Sequence, residues 1–272
     1  MKRLLKGLLR KVVTHEKLRS VGALMRTAAI YSQPISLCEP EGGQIVVLAP
    51  HMDDETLGCG GTIARHVRAG AFVTTIFLTD GRHGSVMNEA LSESERDLQE
   101  RKVVATRKLE AQRAGQVLGV QTTLFLDAED GNLENDPFVA KRLREALERA
   151  RPAIVYIPHF LERHPDHRAA NDVLLAAVAG TSLDFECRGY EVWTPLFPNR
   201  AVAIDSTVEL KKQALACYLS QLAIVDYMHS SLGLSAYRSA TLGRHDARFA
   251  ETFLALSLRD YQRYYRLVRR SS

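Results

Sequence analysis

The sequence predicts an α/β fold, Rossmann-like in layout, with a mostly parallel sheet covered by helices on both faces. Two observations predict it. From residue 44 onward, near-continuous apolar runs alternate with amphipathic stretches, and the polar residues gather in the loops that follow the runs. A strand apolar at almost every position suits a sheet buried on both sides, and functional groups in such sheets collect beyond the carboxyl ends of the strands.

Taken in order, QIVVLAP (44–50) is the first strand, a helix runs from about Gly60 to Ala69, and FVTTIFLTD (72–80) is the second strand. A long helix over roughly 93–118 leads to TTLFLD (122–127), a helix over roughly 137–150, and AIVYIP (153–158). Beyond residue 185 the rhythm weakens. YEVWTPLF and then AVAID come before a helix from about Val208 to Leu219 and a helical tail from about Ala250. No linker, repeat or low-complexity stretch divides this part, so residues 41–272 read as a single domain behind a basic helical segment over residues 1–40.

That segment explains the charge. The net +4 arises because residues 1–30 carry eight Lys or Arg against Glu16 alone, a balance of +7, which leaves the remainder at −3. A mildly acidic body gives no reason to expect nucleic acid as a partner. Leu4, Leu5, Leu8, Leu9, Val12 and Val13 recur at helical spacing, while Lys6 and Arg10 interrupt the apolar core that a secretory signal needs. Two readings follow: a helix packed on the body or on a neighbouring subunit of a homo-oligomer, or one lying on the inner face of an anionic membrane. Cys38, Cys59, Cys187 and Cys217 show neither CxxC spacing nor a paired pattern, which fits a reducing cytoplasm.

Four loops share one rim: HMDDE after the first strand, DGRHG (80–84), DAEDG (127–131) and HFLERHPDH (159–167). Asp53, Asp54 and Glu55 stand side by side, and adjacent carboxylates repel unless a cation, hydrogen bonds or water compensates. Alone, the trio reads as a solvated helix start. His51 just before it, with His164 and His167 three apart at the first turn of another helix, changes the balance: HxDD plus HxxH supplies the nitrogens and carboxylate of a divalent metal site. Gly58, Gly60 and Gly61 imitate a dinucleotide turn, but Ile63 holds the third glycine position and the carboxylates would repel a pyrophosphate. His51-Met52-Asp53 with a distant histidine also spells the facial triad of non-haem iron oxygenases, yet that triad sits on an all-β scaffold.

With both motifs in place, PHMDDETLGCGG (50–61) and HPDHRAA (164–170), the sequence resembles the LmbE-like or PIG-L family, the N-acetylglucosaminyl de-N-acetylases. Met52 stands where that family usually has proline. KKQALACYLSQ (211–221), GLSAYR (233–238) and AETF (250–253) are similar to the C-terminal pattern of bacterial members acting on glycans.

The resemblance implies that His51, Asp54 and His167 bind zinc, or ferrous iron in its place. Asp53 would be the general base toward a metal-bound water, His164 would stabilise the oxyanion and protonate the leaving amine, and Asp166 would orient and charge His164. Arg107 and Asp130 match substrate-contacting positions. The implied reaction is removal of an N-acetyl group from an N-acetylglucosamine-type sugar or glycoconjugate. The alternatives are an amidase releasing a larger acyl group, the iron oxygenase, and a non-catalytic glycan-binding relative.

Overall fold

The structure, a computed structural model, describes residues 35–85, 91–243 and 246–269. The basic helical segment anticipated at the N-terminus falls outside them up to residue 34, and among the described residues no helix is long and apolar enough to cross a membrane. The sheet itself begins before residue 41, because Ser36–Leu37 (β1) pairs in parallel with a later strand.

The elements follow as β2 (Gln44–Ala49), α1 (Asp54–Arg68), β3 (Phe72–Thr79), α2 (Glu93–Leu118), β4 (Thr122–Ala128), α3 (Val139–Ala150), β5 (Ile154–Pro158) and α4 (Pro165–Val178). Then come β6 (Glu186–Tyr190), β7 (Arg200–Ala203), α5 (Val208–Leu215), α6 (Leu219–Leu222), α7 (Tyr227–Ser239), β8 (Ala250–Ser257) and α8 (Leu258–Arg269). All eight strands form one sheet in the order β1-β7-β8-β6-β5-β2-β3-β4, parallel except where β8 runs antiparallel to β6 and β7.

The apolar strands divide their side chains between two cores, as a pleat with period two requires. In β2, Val46 and Leu48 join Ile76, Val155 and Ile157 against residues of α3, α4 and α8. Ile45 and Val47 face the other way, with Val73, Phe77 and Tyr156, toward residues of α1, α2 and α5. A sheet buried on both faces is therefore what the unbroken apolar runs encode.

The differences from the sequence reading lie at the start of α1 and in the part beyond residue 185. The helix expected from Gly60 begins six residues earlier, at Asp54, and is kinked at Cys59 (φ −147°, ψ 20°). Its second half restarts where the sequence suggested, because the Glu251 carboxylate accepts from the amides of Gly61 (3.0 Å) and Thr62 (2.7 Å) and so serves as an internal N-cap. Glu251 lies on β8, within the segment read as helical; a short apolar run buried on both faces cannot be told from a buried helix by pattern alone. YEVWTPLF is a strand only to Tyr190, the helix from Val208 stops at Leu215, and α7 had no counterpart in the reading.

The strand order reverses between β2 and β5, with β3 and β4 on one side of β2 and β6 beyond β5. A crevice opens at such a reversal, outside the carboxyl ends of the two strands. The loops following β2 and β5 carry HMDDE and HPDH.

Candidate active site

Each loop presents its side chains through a specific backbone device. Asp53, the N-cap of α1, has φ 135°, a conformation that costs an L-residue about 1–3 kcal/mol and persists only where the surroundings enforce it. Arg107 enforces it from α2, donating from Nη2 to the Met52 carbonyl (2.7 Å) and from Nη1 to the Gly81 carbonyl (3.1 Å). Glu55 turns back to accept from the Asp53 amide (3.2 Å) and binds Thr56 and Tyr218 through its other oxygen. Met52 is fully buried, and Gly81 (φ 65°) leaves room for it, since a Cβ there would lie 2.5 Å from the Met52 methyl. On the opposite loop His164 caps α4: its Nδ1 accepts from the Asp166 amide at 3.2 Å, with Pro165 in the first turn.

These devices bring His51, His164 and His167 together, with ring centroids 4.8, 5.4 and 5.0 Å apart. Asp54 Oδ2 lies 3.3 Å from His51 Nδ1 and 3.1 Å from His167 Nε2, and it also accepts from the His51 amide at 2.9 Å. The second nitrogen of each histidine faces another acid. His51 Nε2 lies 3.0 Å from Asp130 Oδ1 and 3.1 Å from Asp166 Oδ2, and His167 Nδ1 lies 3.8 Å from Glu162 Oε2. Asp53 stands beside them, its Oδ1 3.6 Å from Arg107 Nη2.

Burial dominates the electrostatics. It pushes the Asp53 carboxyl up to about 7, against the pull of Arg107 and with the repulsion of Asp54. Burial would also raise Asp54, but His167 and His51 hold it well below the usual carboxylate range. His51 is raised despite its burial by Asp130, Asp166 and Asp54, whereas burial, helped by His51 and His167, lowers His164. Crowded carboxylates are thus tolerated here because cations interleave them.

The donors suit a divalent metal. His51, His164 and His167 form one group of ligand atoms lying within 4.8 Å of one another, and His51, Asp130 and Asp166 form another. Both ring nitrogens of His167 are buried without an aligned hydrogen-bond partner, although Asp54 and Glu162 flank them. A buried polar atom left unpaired is costly, and a metal ion on Nε2 would remove that cost. A histidine whose far nitrogen is backed by a carboxylate is the usual arrangement at such centres. The chemistry open to the arrangement is hydrolysis, with a buried carboxylate of near-neutral pKa next to the metal donors.

Residues 46–178 match the family model described as GlcNAc-PI de-N-acetylase, PIG-L. The chain is 32% identical over 195 residues to the diacetylchitobiose deacetylase of Thermococcus kodakarensis, an alignment covering 65% of this chain and 70% of that protein. The chain belongs to the PIG-L family. Another relative, the 1D-myo-inositol 2-acetamido-2-deoxy-α-D-glucopyranoside deacetylase of Rhodococcus erythropolis, is 32% identical over 178 residues, covering 57% of this chain and 59% of that protein. The fold is also that of the N,N'-diacetylchitobiose deacetylase of Pyrococcus horikoshii, with a TM-score of 0.67 at 23% identity over 90% of this chain and 94% of that one. The named relatives of this PIG-L chain are thus deacetylases of N-acetylglucosamine-type sugars.

Within this PIG-L site, His51, Asp53, Asp54, Arg107, Asp130 and His164 line one cleft, and the buried His167 and Asp166 pack behind it against Asp54 and His51, but one partner differs from expectation. The Asp166 carboxylate favours the charged form of His164 through space, but no hydrogen bond joins it to that ring. It contacts His51 and accepts from the amides of Gly131 (2.7 Å) and Leu133 (3.3 Å), while its link to His164 runs through its own backbone N–H. Asp166 is only the second residue of α4, so its side chain turns back toward the β4 loop, and cross-loop partners of that kind have no signature in sequence. Arg107 and Asp130 both line the cleft. Sequence reading missed Glu162, Trp193, Gln221 and Tyr227. Glu162 sits inside the HFLERHPDH stretch already singled out, and its position five residues before His167 was the one available signal.

Proposed function

We propose that this chain is a metal-dependent hydrolase that removes the acetyl group from an N-acetylated amino sugar or its glycoside. One observation carries the reading: His51 Nδ1 and His167 Nε2 converge on a single Asp54 oxygen, with Asp53 buried beside them. His51, Asp54 and His167 would hold the ion; this set is preferred to His51, Asp130 and Asp166 because each of its histidines then keeps a carboxylate on its far nitrogen. Zinc suits these nitrogen and carboxylate donors, as does ferrous iron, and either would lower the pKa of water and polarise the amide carbonyl.

The protein's own groups then divide the work. Asp53 takes the proton from the attacking water; Arg107 and Glu55 fix its carboxyl and its backbone. His164, whose Nδ1 accepts from the Asp166 amide, carries its ring proton on Nε2 and donates it toward the oxygen that gains charge, then toward the leaving nitrogen. Asp166 and Asp130 hold His51 in place. Arg107 and Asp130, on the cleft wall, are also the contacts proposed for the sugar. His51, Asp53, Asp54 and His164 share one solvent-open cleft of roughly 160 Å³. Free cysteines at Cys38, Cys59, Cys187 and Cys217 accord with a cytoplasmic setting.

The test is acetate release from N-acetylglucosamine, N,N'-diacetylchitobiose and N-acetylglucosaminides by chelator-treated protein, with and without added zinc or ferrous iron. Release that returns with metal is expected. Full release from protein shown to be metal-free would overturn the reading.

A further inference from the structure

Trp193 is the chain's single tryptophan, and it is 49% exposed at the mouth of the cleft. It packs edge-on against Tyr227 with ring centroids 5.8 Å apart, and both side chains line the same cavity as His51, Asp53 and Asp54. An exposed tryptophan ordinarily marks a loose loop or a recognition surface, and this loop is not loose.

The segment carrying Trp193 is anchored at both ends by buried carboxylates. Glu162, 1% exposed, accepts from the amides of Val192 (2.8 Å), Trp193 (3.0 Å) and Thr194 (3.1 Å). Glu191 accepts from the Leu196 amide (2.8 Å), from Thr252 Oγ1 (2.8 Å) and from the Arg238 guanidinium. Tyr227 begins α7, whose N-cap Asp226 accepts from the His229 amide. The two side chains are therefore held on fixed backbone, with the Trp193 ring half-exposed and Tyr227 partly buried against it. The cleft is open to solvent and the two aromatic side chains line it together with His51 and Asp53, so a group joined to the reacting ring can reach them without leaving the cleft.

We propose that Trp193 and Tyr227 form a second sugar subsite, a platform for the apolar face of the ring joined to the N-acetylated one. The favoured substrates are then glycosides or short oligosaccharides of an N-acetylated amino sugar rather than the free monosaccharide. This rests on the deacetylase reading above. A pyranose presents a face of axial C–H bonds that packs on an aromatic ring, and the fixed platform spares the entropy of ordering one on binding.

Because Trp193 is the sole tryptophan, intrinsic fluorescence reports the subsite directly. Titrating the metal-loaded protein with N,N'-diacetylchitobiose should shift the emission more than N-acetylglucosamine does. Trp193→Ala should lower the ratio of kcat/KM for disaccharide over monosaccharide by about three- to ten-fold, with Trp193→Tyr restoring most of it. Acetate release from the disaccharide with an unresponsive Trp193, or an unchanged ratio in the alanine variant, overturns the subsite and leaves the deacetylase reading standing. No release and no emission change with any sugar, metal being bound, removes both.

Discussion

Glu162 joins two parts of the molecule that are distant in sequence: one of its oxygens lies 3.8 Å from His167 Nδ1, and the other gathers the amides of residues 192–194. The histidine that would bind the metal and the loop that carries Trp193 thus share a single buried carboxylate. Glu162→Gln should keep the loop's acceptor while weakening the pull on His167. Zinc affinity is expected to fall about 10- to 100-fold, measured by competition with a chromogenic chelator. Unchanged affinity would mean that Glu162 serves the loop alone.

Asp53 and His167 should separate cleanly. Asp53→Ala keeps the donor set and removes the base, so metal content measured by atomic emission should persist while turnover drops about 10²- to 10⁴-fold. His167→Ala should lose the metal itself. An Asp53→Ala protein with near-normal acetate release would sink the assignment of the base.

Acid stability should reflect two histidines buried away from the cleft. Burial holds His66 down at about 4, with Arg188 and Arg65 adding to the effect, and holds His159 at about 4 against the opposing charge of Glu162. Both folded values lie below the ordinary histidine value of 6.5, so between about pH 6.5 and 4 the unfolded chain binds more protons. Stability is then full above that window and is lost as pH falls through it, by up to about 3 kcal/mol per histidine. Urea unfolding of the metal-free protein should show this slope, and it should be shallower in a His66→Gln, His159→Gln double variant. An identical slope in that variant would assign the acid sensitivity to other groups.

The kinked α1 predicts a packing defect. A Cβ at Gly61 would lie 2.8 Å from the Cβ, Cγ2 and Cδ1 atoms of Ile204, which is itself fully buried. Gly61→Ala should therefore destabilise by about 1–3 kcal/mol despite alanine's better helix propensity, and Ile204→Val in the same chain should recover part of the loss. A more stable Gly61→Ala protein in thermal unfolding would show that the contact relaxes freely.

Much of this molecule could be read from one sequence because its signals are local. The unbroken apolar runs of β2, β3 and β5 fixed strand positions, a polar loop after each run fixed the rim, and His51, Asp53, Asp54, His164 and His167 lie within a few residues of those strand ends. The signals failed where a segment's environment rather than its own pattern decides its state. Ala250–Ser257 is a strand because it inserts between β6 and β7, and the start of α1 is helical because Asp53 is forced to positive φ by Arg107 and Glu55. Sequence by itself therefore determined the fold class and the two motifs whose residues the fold brings together. Tertiary structure alone decided the pairings: Asp166 on His51, Glu162 between His167 and the Trp193 loop, and Glu251 inside α1. The physical reason is that a side chain's type and spacing are properties of the chain, whereas its partner across a buried space is chosen by how strands and helices pack.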